Sequence, residues 1–449
     1  MGLSWSAMDL LIRGGTIATC ADDDRVLVGD ILVRGGVIVG VGGALPLSGP
    51  TRVIDAAGCA VIPGFVQAHV HLCQVLFRGL ADDMPLLEWL KRRIWPLEAA
   101  HDEASLFASA RLGILEMTLA GTTTILDMGT VRAHDAVMTV CEESGIRAIS
   151  GKTMMDLGEG VPEGLRESTK ASLDESERLA RYWQGRGDGR IGYAYAPRFI
   201  LSCSEALVRG ACERAAQQGL MVHTHAAEHP NEREAVRNLL GDEDVAVLRK
   251  WGVAGPRAVL AHGVQLTDDE AKRIAQEGTR IVHCPSANLK LGSGIARIAE
   301  LDAFGVKLAL GADGAPCNNN LDPWTELRHA ALLAKVRTSV TALPAKRVLR
   351  LATIDGARAL GLNHVGSLEV GKQADIVVVR IDGPHVEPGG DVFSRLVYAA
   401  TARDVEHVFI AGRHIVKNGD HQTLDRDAVL GAAREQVKKL VDRADLGGL

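Results

Sequence analysis

Apolar and polar positions alternate in two rhythms along this chain. Near both ends, short β-type runs are interrupted by small residues, at 10–17 (LLIRGGTI), 31–38 (ILVRGGVI) and 408–416 (VFIAGRHIV). Each reads as two strands joined by a glycine-containing turn, which is a hairpin signal. Three similar hairpins at the two termini predict one small β-sandwich unit assembled from residues 1–60 and 366–424. The copies form no tandem array, so a solenoid is not indicated.

Between these ends the rhythm changes to apolar strand-like runs separated by amphipathic helical stretches, the pattern of parallel α/β units. The runs are 61–69, 121–127, 146–151, 191–196, 219–224, 257–262, 279–284 and 306–313. Eight such runs predict a (β/α)8 barrel over 61–365, distorted from the ideal, with chemistry at the C-terminal strand ends. The helices carry their own start signals. In 266–275, Thr267 is placed as an N-cap, followed by Asp268, Asp269 and Glu270 where a helix N-terminus favours negative charge. Segments 157–166 and 285–298 are interrupted by Gly and Pro after strand ends, which makes them active-face loops. Residues 425–449 close the chain with an amphipathic helix carrying Lys438, Lys439 and Arg443 late in its length.

Composition narrows the class. A chain of 449 residues with 47% apolar and 24% charged positions has ample core material and exceeds one ordinary folding unit. The net charge of −6 comes without a basic block, so nucleic acid is not expected as a partner. The H-x-E with P-C-x-x-C pattern of nucleic-acid deaminases is also absent. Eight cysteines lie scattered without any C-x-x-C and read as mostly buried thiols. No signal peptide opens the sequence and no apolar run is long enough to span a bilayer, so cytoplasm rather than membrane is expected. Met1, Gly2 and Ser6 match the myristoylation pattern, a short motif read here as a chance match.

The candidate chemistry lies at the strand ends. Residues two apart on a strand share a face, so His69 and His71 can meet one metal ion. His223-x-His225 with Glu228, then His262, then Asp313 fall at or beside later strand ends. Any one of these histidines alone would be read as a satisfied core residue. Together, so many polar groups at successive strand ends would carry a heavy burial cost without a shared purpose. They supply what a one-metal hydrolytic site needs: imidazole and carboxylate ligands, an open position for water and a proton carrier. His223 and His225 compete for one ligand role; His225 is followed by Glu228, so His223 is read as a supporting or core histidine. His283 fits a satisfied strand histidine as well as a substrate contact.

The segments PGFVQAHVH, HTHAAE, LAHG, VHCPSANLKLGSG and GADGAPCNNNLD together resemble the amidohydrolase superfamily, in its mononuclear aminohydrolase branch. The resemblance spans the chain, including VGSLEVGKQADIVVV near its end. It implies metal ligands His69, His71, His225 and Asp313. It also implies Glu228 as proton carrier to a ring nitrogen, His262 as partner of the attacking hydroxide and Asp313 as proton acceptor. The fourth run, IGYAYAPRF, lacks the lysine of binuclear members, which favours a single metal. Zinc is the default for His/Asp ligands, with iron or manganese fitting similar geometry. Barrels of this kind commonly pair, so a homo-oligomer, dimer or tetramer, is expected.

Two subfamilies pull on the substrate, a purine nucleoside or base. DMPLLEWL, IWPLE and DGAPCNNNLD resemble deaminases of 5'-deoxyadenosine, S-adenosylhomocysteine and 5'-methylthioadenosine, in which Trp89 would flank the base and Glu98 would grip ribose hydroxyls. GKTMMD, PRFILSCSEAL and Gln74 resemble guanine deaminase, in which Gln74 and Arg198 would hold the guanine edge. The final loop and IWPLE favour the adenosine reading. Hydrolases of other purines, pterins or triazines share the metal set, and a non-catalytic scaffold is opposed by the complete ligand set. On a purely structural reading, Trp89 and Trp95 pack a helix and Arg198 pairs with a barrel carboxylate.

Overall fold

The computed structural model describes residues 8–47 and 49–446. The match to a myristoylation pattern at Met1, Gly2 and Ser6 lies outside the described residues.

Among the described residues, eighteen strands fall into two sheets. The first is mixed and draws on both ends of the chain: β1 (Asp9–Ala18), β2 (Val26–Arg34), β3 (Val37–Gly42), β4 (Thr51–Asp55) and β5 (Cys59–Pro63). Its C-terminal members are β15 (Ile376–Arg380), β16 (Val405–Ile410), β17 (Arg413–Lys417) and β18 (Asp420–His421). The order is β18-β17-β16-β15-β5-β1-β2-β3, with β4 pairing β1. The junction between the two ends is β5 against β15, where Val61 faces Val378 in antiparallel register.

The second sheet is the barrel. It comprises β6 (Phe65–Val70), β7 (Thr122–Met128), β8 (Arg147–Gly151), a short β9 (Thr153–Met154) and β10 (Ile191–Pro197). It continues through β11 (Met221–Ala226), β12 (Ala258–His262), β13 (Arg280–His283) and β14 (Lys307–Leu310). Eight of these run in parallel, β6-β7-β8-β10-β11-β12-β13-β14, with β9 pairing β10. Closure comes just past β14, where the Asp313 N–H donates to the His69 carbonyl at 3.0 Å. Gln67 helps to seal that seam: its Nε2 donates to Leu321 O and its Oε1 accepts from the Ala312 N–H. The fold is therefore the expected (β/α)8 barrel beside a β unit from both termini.

The apolar run 61–69 serves both sheets. The chain leaves the first at Pro63 and enters the second at Phe65, and Gly64 makes the crossing possible. A Cβ there would lie 2.1 Å from the Thr123 side chain, so only glycine lets the two segments approach. Arg147 on β8 fastens the sheets together, its guanidinium donating to both oxygens of Asp375 just before β15. Both partners are about 2% exposed, so removing either one would strand a buried charge.

One expectation is corrected. Residues 10–17 are not a hairpin: β1 runs straight through Gly14-Gly15, and its pairing with β2 skips a register between Ile12 and Gly15. Gly14 has a φ of +74° and its N–H donates to Asp30 Oδ1 on β2, so the left-handed residue makes a bulge rather than a turn. The other two hairpins form as expected, β2–β3 around Gly35-Gly36 and β16–β17 around Ala411-Gly412. Thr267 caps its helix, accepting from the Glu270 N–H while the Glu270 side chain accepts from Thr267 N–H. Segment 285–298 is only partly loop, since Pro285–Lys290 forms a short helix. The closing helix spans Arg426–Arg443, and no helix among the described residues is long and apolar enough to cross a membrane.

Candidate metal centre and catalytic cavity

His69 lies on β6, His71 just beyond it, His225 on β11 and Asp313 just beyond β14. One ligand atom from each lies within 4.8 Å of every other. The Nε2 atoms of His69 and His71 each stand 3.3 Å from Asp313 Oδ1, and His71 Nε2 stands 3.2 Å from His225 Nε2.

The far nitrogens explain why those atoms converge. His71 Nδ1 donates to Met128 O at 2.8 Å and His225 Nδ1 donates to Arg198 O at 2.7 Å. With the proton committed to Nδ1, each neutral ring presents a lone pair at Nε2. His69 Nδ1 pairs with His223 Nε2 at 2.9 Å, so His223 supports a ligand from behind and does not join the cluster. Burial pulls His69 down to about 4 and holds His225 well below its ordinary value. His71 is also buried, but Asp313 outweighs that effect and raises it. Burial works against the Asp313 anion, and the adjoining imidazoles of His69 and His71 override it to keep the carboxyl well below the usual range. Lone pairs and an anion gathered this closely repel one another unless a cation sits among them. The donor set therefore fits a divalent metal.

Two further groups face the same point. Glu228 Oε2 lies 3.6 Å from His262 Nε2, which is 3.8 Å from Asp313 Oδ2. Burial, reinforced by the charge of Asp313, pushes Glu228 well above its ordinary value. His262 Nδ1 pairs with Asn288 Oδ1 at 2.9 Å, which leaves Nε2 toward the cavity. Ala227, His262 and Asp313 all have positive φ, at 51°, 78° and 65°. Non-glycine residues in this region cluster where a site dictates the backbone.

The match to known proteins fits this geometry. The model of the amidohydrolase family matches residues 60–415. The chain belongs to the amidohydrolase family. It is 37% identical over 440 residues to a 5-methylthioadenosine/S-adenosylhomocysteine deaminase of Pelotomaculum thermopropionicum, covering 97% of this chain and 99% of that protein. It is 39% identical over 432 residues to a 5'-deoxyadenosine deaminase of Methanothermobacter thermautotrophicus, covering 96% and 98%. A crystal structure of an adenosine deaminase from Xanthomonas campestris with bound zinc superposes with a TM-score of 0.90 at 34% identity, covering 97% and 99%.

In this amidohydrolase the cavity above the ligand cluster is walled by Gln74, Trp89, Arg198 and Glu228, among others. Trp89 is buried and lines the cavity. Glu98 stands behind that wall, one oxygen accepting from Gln74 Nε2 and the other from Arg198 Nη1. Arg198 thus does pair with a barrel carboxylate, while still facing the cavity. His283 is buried and burial pulls it down to about 3; it is absent from the cavity lining.

Sequence reading alone missed the supports of the HAAE turn. The Ala227 N–H donates to Asp244 and the Glu228 N–H donates to Glu232 Oε2 at 3.2 Å. Arg233 in turn ties Asp244, Glu243 and Glu270. Glu232 recurs four residues after Glu228, a helical spacing that signals a pair, but Asp244 carries no local signal. Leu86, Leu90, Phe199 and Leu291 also line the cavity, and as apolar residues they were indistinguishable from core.

Proposed function

We propose that this amidohydrolase deaminates a 5'-substituted adenosine, 5'-deoxyadenosine or its methylthio or homocysteinyl analogues, to the inosine derivative and ammonia. The observation that carries the reading is Glu228. Its carboxyl is buried, which favours the protonated form, and it lines one cavity with three imidazoles, those of His71, His225 and His262, and the Asp313 carboxylate. Relatives bearing those deaminase names over nearly the whole chain support the substrate class.

His69, His71, His225 and Asp313 would hold one divalent ion, zinc by the character of the donors. When bound, such an ion supplies Lewis acidity that brings the pKa of water toward about 7. Asp313, kept ionised by its histidine neighbours, accepts a proton from the attacking water. Glu228 gives its proton to ring N1, which makes C6 electrophilic. His262 Nε2 lies between the two carboxylates and hydrogen-bonds the oxygen that adds to C6. The C6–N6 bond then breaks, the amine leaving as ammonia after taking the proton that Asp313 received, and the C6 hydroxyl returns its proton to Glu228 as the carbonyl forms.

Gln74 and Arg198 in the cavity wall favour a second reading, an aminohydrolase of guanine. Ammonia release across 5'-deoxyadenosine, 5'-methylthioadenosine, S-adenosylhomocysteine, adenosine, adenine and guanine tests both. The 5'-substituted adenosines are expected to turn over fastest, with loss of the adenosine absorbance band. Turnover of guanine with none of the adenosines would overturn the proposal. The eight free thiols, all buried except Cys212, suit a reducing cytoplasm.

A further inference from the structure

We propose that Glu232 and Asp244 share one proton, as a buried carboxyl–carboxylate pair that braces the turn carrying Glu228. The pair itself is independent of the substrate, and its effect on catalysis rests on the role given to Glu228 above.

After His225 the chain turns at Ala227, whose φ is +51°, and enters the helix Pro230–Leu240. A left-handed residue turns its own N–H and the next one toward the same side. Two carboxyls receive them. The Ala227 N–H donates to Asp244 Oδ2, at the start of the helix Asp244–Lys250, and the Glu228 N–H donates to Glu232 Oε2 at 3.2 Å. Asp244 and Glu232 are 0% and 1% exposed, so the two stand side by side out of water. Each keeps a second oxygen, Asp244 Oδ1 and Glu232 Oε1, that is buried and accepts no hydrogen bond. The neighbouring cation, Arg233, is spent elsewhere. Its Nε donates to Glu243 Oε2 at 2.7 Å, Nη1 to Gln265 O and Glu270 Oε2, and Nη2 to Glu270 Oε1 at 2.6 Å. Arg233 Nε stands 3.3 Å from Asp244 Oδ1 without bonding it.

Two anions here would repel each other on successive amides and leave two buried acceptors unsatisfied, at full desolvation cost. One proton answers both faults: Glu232 Oε1 becomes a hydroxyl that donates to Asp244 Oδ1. Asp244 is the member left ionised, because Arg233 lies beside it. In keeping with this, burial and then the charges of Asp244 and Glu228 raise the Glu232 carboxyl above its ordinary value. The other titratable groups around the pair are His262 at the end of β12, Glu243, and Glu270 on the helix Asp268–Glu277, the last two held by Arg233. His229 caps the helix Pro230–Leu240, and Glu88 on the adjoining helix Leu86–Trp89 lies in solvent beside Arg92. Loss of the shared proton at alkaline pH would set two like charges against the amides of Ala227 and Glu228, and so displace the Glu228 carboxyl. Glu232 thus acts on the reaction as a positioning residue.

Infrared difference spectra of the metal-loaded protein, wild type minus Glu232→Gln, test the proton directly. A protonated carboxyl absorbs apart from carboxylates, so at pH 7 wild type should show one such band that Glu232→Gln lacks and Glu228→Gln retains. The pH dependence of kcat with 5'-deoxyadenosine reads the brace. A glutamine here keeps an acceptor for the Glu228 N–H and offers Asp244 Oδ1 an N–H that does not titrate. Glu232→Gln should therefore stay within about threefold of wild type in kcat at pH 7. Its alkaline limb should lie about one pH unit or more above that of wild type. Should Glu232→Gln fail to fold, Asp244→Asn, whose amide donates to an ionised Glu232, should lose the same band. Spectra without a difference in this region would mean two ionised carboxylates bridged by water, and would overturn the inference. A lost band with coinciding alkaline limbs would overturn the brace, because the proton would then not act on Glu228. Failure of the role given to Glu228 is separately visible as near wild-type turnover in Glu228→Gln, which leaves the infrared result as it is.

Discussion

The ligand cluster and the Gln74–Glu98–Arg198 wall share one cavity and are built by opposite means. In the cluster, His71 and His225 are aimed by backbone carbonyls, those of Met128 and Arg198, and the ligands sit at the ends of hydrogen-bonded strands. In the wall, side chain holds side chain, and all three residues lie outside the strands. The neighbouring Leu90–Ile94 segment is a π-helical turn, an irregularity that often marks functional positions. A backbone acceptor survives substitution of the residue that carries it, whereas a side-chain chain changes with each member. Two of the three imidazoles are thus aimed by groups that outlast substitution, while His69, held by the His223 side chain, and the wall are not.

That contrast predicts a graded series. The largest effect should come from His225→Asn, which removes a ligand outright. Elemental analysis of the purified variant should find little bound metal, with activity at background, whereas a full metal complement would break the division between cluster and wall. Next comes Glu228→Gln. It should keep its metal and lose about 10²- to 10⁴-fold in kcat, the usual range for a lost general acid. Near wild-type deamination would remove Glu228 from its role. His223→Phe sits between the two regions, since it touches only the far nitrogen of His69. Metal affinity is expected to drop about 10- to 100-fold, the usual consequence of removing a group that orients a ligand. Unchanged affinity in a chelator competition would mean that His69 needs no support.

The smallest effect concerns stability. Asp127 lies at the end of β7, where it accepts from the Leu72 N–H at 2.8 Å and from Ser150 Oγ, and so holds the turn after His71. Burial raises this carboxyl to about 6, with the two hydrogen bonds opposing that shift. Between its ordinary value near 3.8 and about 6, the folded state binds more protons at this group than the unfolded chain does. Its stabilising contribution is fully present below that window and is lost as pH rises through it. Asp127→Asn cannot titrate, so thermal denaturation from pH 4 to 7 should show a shallower decline with pH than wild type. Parallel curves would refute the assignment.

Much of this was legible in the residues. The two-residue period placed His69 and His71 on one face, and the eight apolar runs placed Asp313 at the last strand end, because strand periodicity and strand order are local properties. The bulge at Gly14-Gly15 was not legible, because Gly-Gly between β-type runs reads the same whether the chain turns or merely slips by a residue. The difference depends on Asp30, on the neighbouring strand. The side-chain partners of Glu98 illustrate the same limit. Its partner Arg198 lies a hundred residues away, and only the folded barrel shows both carboxylate oxygens already engaged. Arg147 and Asp375, which join the two sheets, are further apart still and carry no motif.

The central claim is a one-metal site that performs the deamination. The most direct measurement is a titration of zinc into chelator-treated protein, with 5'-deoxyadenosine deamination followed through ammonia release. Activity should rise linearly and break at one ion per chain. A break at two ions per chain, or full activity without added metal in protein shown to be metal-free, would contradict it.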